Sequence, residues 1–498
     1  MKKVFLLAYR WHQYIGIYIS VAVVLWGLTG LAHPIITRLN PQPVVFSSPS
    51  ESLTWMSDVR LSDLLHAHEI YHVSQLRVFS WNGDLVVRVV GDYGVKYLSV
   101  NSQSVIDGGE EKYAEYLARF YSGDFVSAVK SIKKIQSFDD EYLYINRLLP
   151  VIRVTLDRND GLTVYVDTDT GRLGTLSNQN KFITGTIFRY IHSLVFISSE
   201  FWRTAIMLIF LIAAFLVSAV GLWLYYSLWR RSGFNSIHPM ARRVHRSLGA
   251  CVAIAAMAFS VSGGFHIWHK WQSSVQSGQV KEGYVLSQNY IASNLVIPSA
   301  ALESFNIAVD WIDIRLVTLN DQAHWRIQKR AKKHHSGEGA GHQHHMSPLV
   351  KGSEPVSNVF YIDNETQRRV ANGDERHALY LASRFSGLGG VVAGAASINV
   401  SRIDQFNAEY GFVNKRLPVF RVVFPMAINE SIYIENSTQT LVAIVDSVDR
   451  LEGALFSNLH KWHFLDFLGR GLRDFILSIF ALLVSAVFML GMWRYWRK

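Results

Sequence analysis

The chain has 498 residues, 49% hydrophobic and 13% aromatic, with a single cysteine, Cys251, and a formal net charge of +10. That apolar content excludes disorder for most of the chain, and one cysteine excludes a disulfide scaffold. Charged residues make up 18%, below the roughly 25% of soluble domains, while a mean hydropathy of +0.13 is too polar for a chain made only of membrane spans; spans carrying water-facing domains fit both figures.

The first candidate span covers residues 13–32, which hold no Lys, Arg, Asp or Glu. A bilayer crossing needs about 20 mainly apolar residues. The stretches 204–229, 247–268 and 475–493 meet the same requirement. Tyr14, Trp229, Trp268, Trp271, Trp493 and Trp496 gather near the span ends, as interfacial belts do. Lys2, Lys3 and Arg10 precede the first stretch. That stretch is too long for a signal-peptide core and lacks a small-residue cleavage site, so it is expected to be retained.

The long segment after the first span alternates helical and extended patterns. Residues 61–72 read as a helix, and 76–81, 85–90 and 96–100 as strands, with Asn82-Gly83 as a hairpin turn. A helix is expected over 110–120 and a strand over 162–167, closed by Asp167-Thr168-Asp169-Thr170-Gly171. That turn lacks the later Glu of a calcium loop. The second long segment repeats the pattern with a strand at 360–363, a helix at 374–385 and a strand at 431–435. Residues 329–348 have no counterpart in the first half and read as a loop.

Basic residues set the orientation. Lys2, Lys3 and Arg10, then Arg230, Arg231, Arg242, Arg243 and Arg246, then Arg494, Arg497 and Lys498 all fall on one side, and the positive-inside rule makes that side cytoplasmic. The expected fold is an α-helical four-span bundle of two parallel repeats with two periplasmic α/β domains. Its divisions are a span in 1–33, a domain in 34–200, a span in 201–230, a cytoplasmic loop in 231–245, a span in 246–269, a domain in 270–470, and a span with tail in 471–498. The basic excess is then partly topological, and a nucleic-acid partner is not expected.

The chain reads as a duplication. Arg10, His12, Gly16, Gly30 and His33 recur 233 positions later as Arg243, His245, Gly249, Gly263 and His266. Pro150, Tyr165 and His192 recur 268 positions later as Pro418, Tyr433 and His460. Val217-Ser218-Ala219-Val220 recurs as Val484-Ser485-Ala486-Val487. Two spans per half preserve orientation, as parallel repeats require.

Six of the 19 histidines form repeat-matched pairs at or near the ends of spans: His12 with His245, His33 with His266, and His192 with His460. Ionisable groups at membrane depth are costly and mark function. His12 and His33 are 21 residues apart, as are His245 and His266; at 1.5 Å per residue that is about 31 Å, roughly the hydrocarbon thickness, with the two side chains about 60° apart around the helix. The pattern gives two histidine levels, one per membrane face. Paired imidazoles without cysteines or carboxylates suit b-type haem better than zinc or a di-iron site, with copper left open. Gly16, Gly27, Gly30, Gly249, Gly263 and Gly264 leave room for a flat macrocycle or for close helix packing. His269 and His463 are possible secondary ligands on the same faces as His266 and His460. His334, His335, His342, His344 and His345 give a weak metal-binding signal in a flexible loop. Cys251 reads as inert packing.

This order of motifs — Arg-x-His-x-x-x-Gly, a span ending at Thr29-Gly30 or Ser262-Gly263, an external α/β module, and His192 or His460 before the closing span — resembles the PepSY-associated transmembrane family. The resemblance implies four spans and periplasmic PepSY-like modules in a bacterial inner membrane. It further implies a link to iron, since some members are iron-regulated and some are haem-containing ferric-siderophore reductases. It carries over to His12, His192, His245 and His460, whereas His33 and His266 rest on the internal symmetry. The His-rich loop departs from the family pattern.

The expected function is therefore that of an inner-membrane haem b oxidoreductase with two or more bis-histidine haems. It would pass electrons from the cytoplasmic side to a ferric siderophore or other iron chelate. No nucleotide-binding motif appears in the sequence, so the expected donor is quinol or a protein. The alternatives are a periplasmic PepSY-type binding module anchored by four spans, or a metal transporter. The transporter is the weaker, because no Asp or Glu lies inside any span.

Overall fold

The computed structural model describes residues 2–53, 60–232, 240–275, 283–298, 311–330, 358–386, 398–424 and 430–496. The His-rich loop and its five histidines lie outside the described residues. Four helices are long and apolar enough to cross a membrane: Lys2–Leu39, Glu200–Ser232, Met240–Val275 and Arg470–Trp496. Each outruns the apolar stretch that marks it in the sequence, because an established helix extends into its flanking turns at little cost. The first packs against the second and fourth, and the third packs against the same two. The first and third therefore stand on a diagonal.

Ile19, Val23, Val217, Val252, Val484 and Phe488 fill the centre of this bundle. Large apolar side chains such as Ile209 and Ile254 face outward and exposed, as helices solvated by lipid tails do. Gly27 lets the first and fourth helices close together, since a Cβ there would run into Ser485 Oγ and the Ala481 carbonyl. Cys251 lies exposed on the third helix rather than packed inside it.

The two long segments do not close two separate sheets. They share one eight-stranded antiparallel sheet, in the order Arg369–Val370, Val359–Asp363, Gln322–Lys329, Trp311–Leu319, Gln75–Trp81, Asp84–Gly91, Gly94–Ser99 and Ser104–Val105. The join is the pairing of Ile314 with Val78 and of Arg315 with Arg77. Each half adds a four-stranded sheet. These run from Val129–Ile135 through Val151–Leu156 and Thr163–Asp167 to Arg172–Ser177, and from Asn399–Ile403 through Val419–Val423 and Ser431–Glu435 to Thr440–Val445. The helices Gly109–Ser122 and Gly373–Phe385 lie between the large sheet and the small ones. Leu117 packs among Phe79, Val86, Val154 and Val164, and Leu381 packs among Phe420, Val422 and Ile434.

A row of charge crosses the join. Arg88 pairs with Arg77, Arg77 with Arg315, and Arg315 with Arg326, on four adjacent strands. Directly opposed residues share a face, so four buried guanidiniums stand side by side. Asp313 bonds Arg77 at 2.5 Å and Arg315 at 2.7 Å. The turn anticipated at Asp167–Gly171 reaches in from the first small sheet: Asp169 pairs with Arg88 and Arg315 at 3.1 Å each, and its carbonyl accepts from Arg77 at 2.6 Å.

Candidate functional site

The histidines near the starts of the first and third spanning helices meet across the bundle diagonal. His12 on the first spanning helix and His245 on the third have ring centres 6.3 Å apart, at an interplanar angle of 65°. His12 Nδ1 lies 3.1 Å from the Val217 carbonyl and His245 Nδ1 lies 3.1 Å from the Val487 carbonyl. A carbonyl only accepts, so each Nδ1 carries the proton and each Nε2 keeps its lone pair. Gly221 and Gly491, one turn beyond those carbonyls, face the rings: a Cβ would meet His12 Cε1 at 2.8 Å and His245 Cε1 at 3.3 Å. These contacts also correct a sequence match. The tetrapeptides at 217–220 and 484–487 align Val217 with Val484, whereas the histidines use Val217 and Val487.

His192 and His460 reach the opposite end of the bundle. His192 closes the helix Gln179–His192, and its Nδ1 lies 2.9 Å from Thr29 Oγ1. The Thr29 hydroxyl donates to the Leu25 and Trp26 carbonyls at 2.9 and 3.0 Å, so its oxygen accepts from His192. His460 Nδ1 lies 3.2 Å from Ser262 Oγ, whose proton goes to the Ala258 carbonyl at 2.8 Å. The same tautomer follows, with Nε2 unprotonated in each. Burial lowers the His192 imidazole to about 4 and the His460 imidazole to about 3, so both are neutral near pH 7, the form that binds metal.

His33 and His266 each stand one phenyl ring away from these. Phe188 lies between His33 and His192, at 5.2 and 4.7 Å. Phe456 lies between His266 and His460, at 4.4 and 4.7 Å. His266 Nδ1 also meets Glu452 Oε1 at 2.6 Å. The two secondary histidines have carboxylate partners: His269 Nε2 lies 3.2 Å from Asp449, and His463 Nδ1 lies 2.8 Å from Asp466. Of the glycines, Gly16 and Gly249 pack on Val217 and Val487, Gly264 on Leu208, and Gly263 on Leu211 and His460. Nothing stands within 4 Å of a Cβ at Gly30, beside Thr29.

His12 and His245 are the residues at this end of the bundle that could hold a metal-centred cofactor between them. A b-type haem would be held by these two imidazoles and would supply one-electron chemistry there. Their rings stand 6.3 Å apart, and each makes the Nδ1–H···O=C bond that ligating histidines use to fix their tautomer. Among the described residues, no three His, Cys, Asp or Glu side chains converge as a compact metal site; a bis-histidine site asks for two.

The sequence singles out the histidines and misses what orients them. Thr29 and Ser262 enter there only as span-end markers, and Val217, Val487, Gly221 and Gly491 carry no chemical signal. Phe188 and Phe456 lie 268 positions apart, like His192 and His460, and the same comparison finds them.

A comparison with curated proteins returns no match. The family described as PepSY-associated TM region matches residues 9–498. With that match covering nearly the whole chain, and four spanning helices joined to a sheet-rich region, the protein belongs to the PepSY-associated TM family.

Proposed function

We propose that this protein conducts electrons across a bacterial inner membrane and delivers them to a ferric chelate, most simply a ferric siderophore, at the periplasmic face. The observation that carries this reading is the His12–His245 pair, with ring centres 6.3 Å apart and each Nδ1 bonded to a backbone carbonyl, which leaves Nε2 unprotonated. When bound there, b-type haem supplies one-electron transfer. His12 and His245 would hold it at the inner level, with Gly221 and Gly491 leaving the rings room. Of the four outer imidazoles we assign His192 and His460 to iron, because Thr29 and Ser262 prepare them as the carbonyls prepare the inner pair; His33 and His266 line the same level. The equivalent contacts in the two halves support reading the chain as a duplication. Charge placement supports cytoplasmic termini and a periplasmic sheet region. Quinol or a protein would be the donor, and the outer end of the bundle would offer electrons to a chelate that never enters the bilayer.

The test uses the purified protein reduced with dithionite and freed of excess reductant. A ferric hydroxamate is expected to re-oxidise it rapidly, with Fe(II) trapped by ferrozine. If ferric chelates leave the reduced spectrum unchanged while another oxidant bleaches it, electron transfer stands and chelate reduction falls.

A further inference from the structure

The last turns of the third spanning helix face the helix Ser447–Leu455, which leads into His460. Their facing side chains form two rungs. His266 Nδ1 lies 2.6 Å from Glu452 Oε1, and His269 Nε2 lies 3.2 Å from Asp449 Oδ1. Each helix contributes its pair at i and i+3, on one face. We propose that His266, His269, Asp449 and Glu452 form a binding site for one divalent first-row transition ion at the outer end of the third spanning helix, distinct from the four histidines assigned to haem.

The donor set fits that class. Two imidazoles and two carboxylates supply nitrogen and oxygen ligands, matching Mn(II), Fe(II), Co(II) or Zn(II) rather than the all-oxygen preference of calcium or magnesium. The side chains are 41% and 18% exposed in the first rung and 17% and 37% in the second, so an ion arrives from water without unfolding anything. Asp449 is partly organised already: its Oδ2 accepts the Asp446 N–H at 2.9 Å, which turns Oδ1 toward His269. The groups stand as adjacent rungs, and no three yet converge on one point. Binding draws them together by side-chain rotation and replaces the two His–carboxylate contacts.

The site belongs to the second half alone. By the spacings of 233 and 268, the first half has Ile36, Lys181 and Thr184 where the second has His269, Asp449 and Glu452. One ion per chain is therefore expected. That ferrous iron is the natural occupant rests on the function proposed above; the site itself does not.

The probe is Mn(II) alone, titrated into the full-length haem-loaded protein and read by the EPR signal of the free ion. Wild type is expected to take up one more Mn(II) per chain than the Asp449→Asn, Glu452→Gln double variant, with equal haem absorbance in both. Histidines at 334–345 contribute equally to the two arms. Equal uptake overturns the proposal. If the double variant does not accumulate folded, His269→Gln serves: at least about 10-fold weaker uptake supports the site, and unchanged uptake overturns it. Mn(II) uptake needs no electron transfer, so failure of ferric-chelate reduction leaves this result standing.

Discussion

At the scale of the residue, the unit of the proposed function is an imidazole with its proton assigned. Two carbonyls and two hydroxyls take Nδ1–H from His12, His245, His192 and His460, and each leaves Nε2 unprotonated. The inner pair depends on glycine for space. Gly221→Ala places a methyl 2.8 Å from His12 Cε1, whereas Gly491→Ala places one 3.3 Å from His245. Gly221→Ala is expected to weaken inner-level haem binding roughly 10-fold or more, as loss of ligand positioning does elsewhere, and Gly491→Ala to cost less. Haem per chain by pyridine haemochrome checks this, and equal retention in both variants contradicts it. His12 and His245 are legible in the sequence because ionisable groups stand out beside apolar spans. Gly221 is not, because a glycine in an apolar helix signals nothing until its neighbour is known. The Val217–Val484 match misleads for a related reason: a shift of three residues is nearly one helical turn and keeps the same face.

At the scale of the element, the arginine row joins the two halves into one sheet, and it does so with charge. Burial pushes the Asp169 carboxyl up, and Arg315, Arg88 and Arg77 outweigh that and hold it at about 2. A depressed carboxylate contributes stability that is present above its unfolded value of about 3.9 and lost as pH falls through its folded value. The join is therefore expected to keep its strength down to about pH 4 and weaken toward pH 2. Asp169→Ala is expected to cost about 3 kcal/mol at pH 7, as removal of one partner from a buried ion pair does, and to flatten the acid dependence. Thermal melts of both proteins between pH 7 and pH 2 check the pair of statements; parallel pH dependence would contradict them. The strands Gln75–Trp81, Asp84–Gly91 and Ser431–Glu435 are legible from alternation and from the Asn82-Gly83 turn. Trp311–Leu319 alternates as clearly, with Ile312, Ile314 and Leu316 set between Asp313 and Arg315; what the local pattern leaves out is its partner. No local pattern reveals that Arg315 will pair with Arg77, 238 residues away.

At the scale of the whole molecule, a four-helix ring carries one sheet-rich body, with histidine pairs toward its two ends. The positive-inside reading expects a C-terminal reporter to be cytoplasmic and one inserted near Gly108 to be periplasmic; the reverse assignment would overturn the direction of electron flow. Span count and family are legible in the sequence, since apolar length and the order of short motifs suffice for both. The single shared sheet is not, because it depends on which edges meet in space. The central claim is that His12 and His245 together hold a haem. The most direct measurement is the dithionite-reduced absorption spectrum of the purified protein, with haem counted per chain, in wild type and in His12→Ala and His245→Ala. A Soret and α band of b type is expected, with at least two haems in wild type and loss of the same one in either variant. A protein without these bands, or two variants that keep every haem with unchanged spectra, would contradict it.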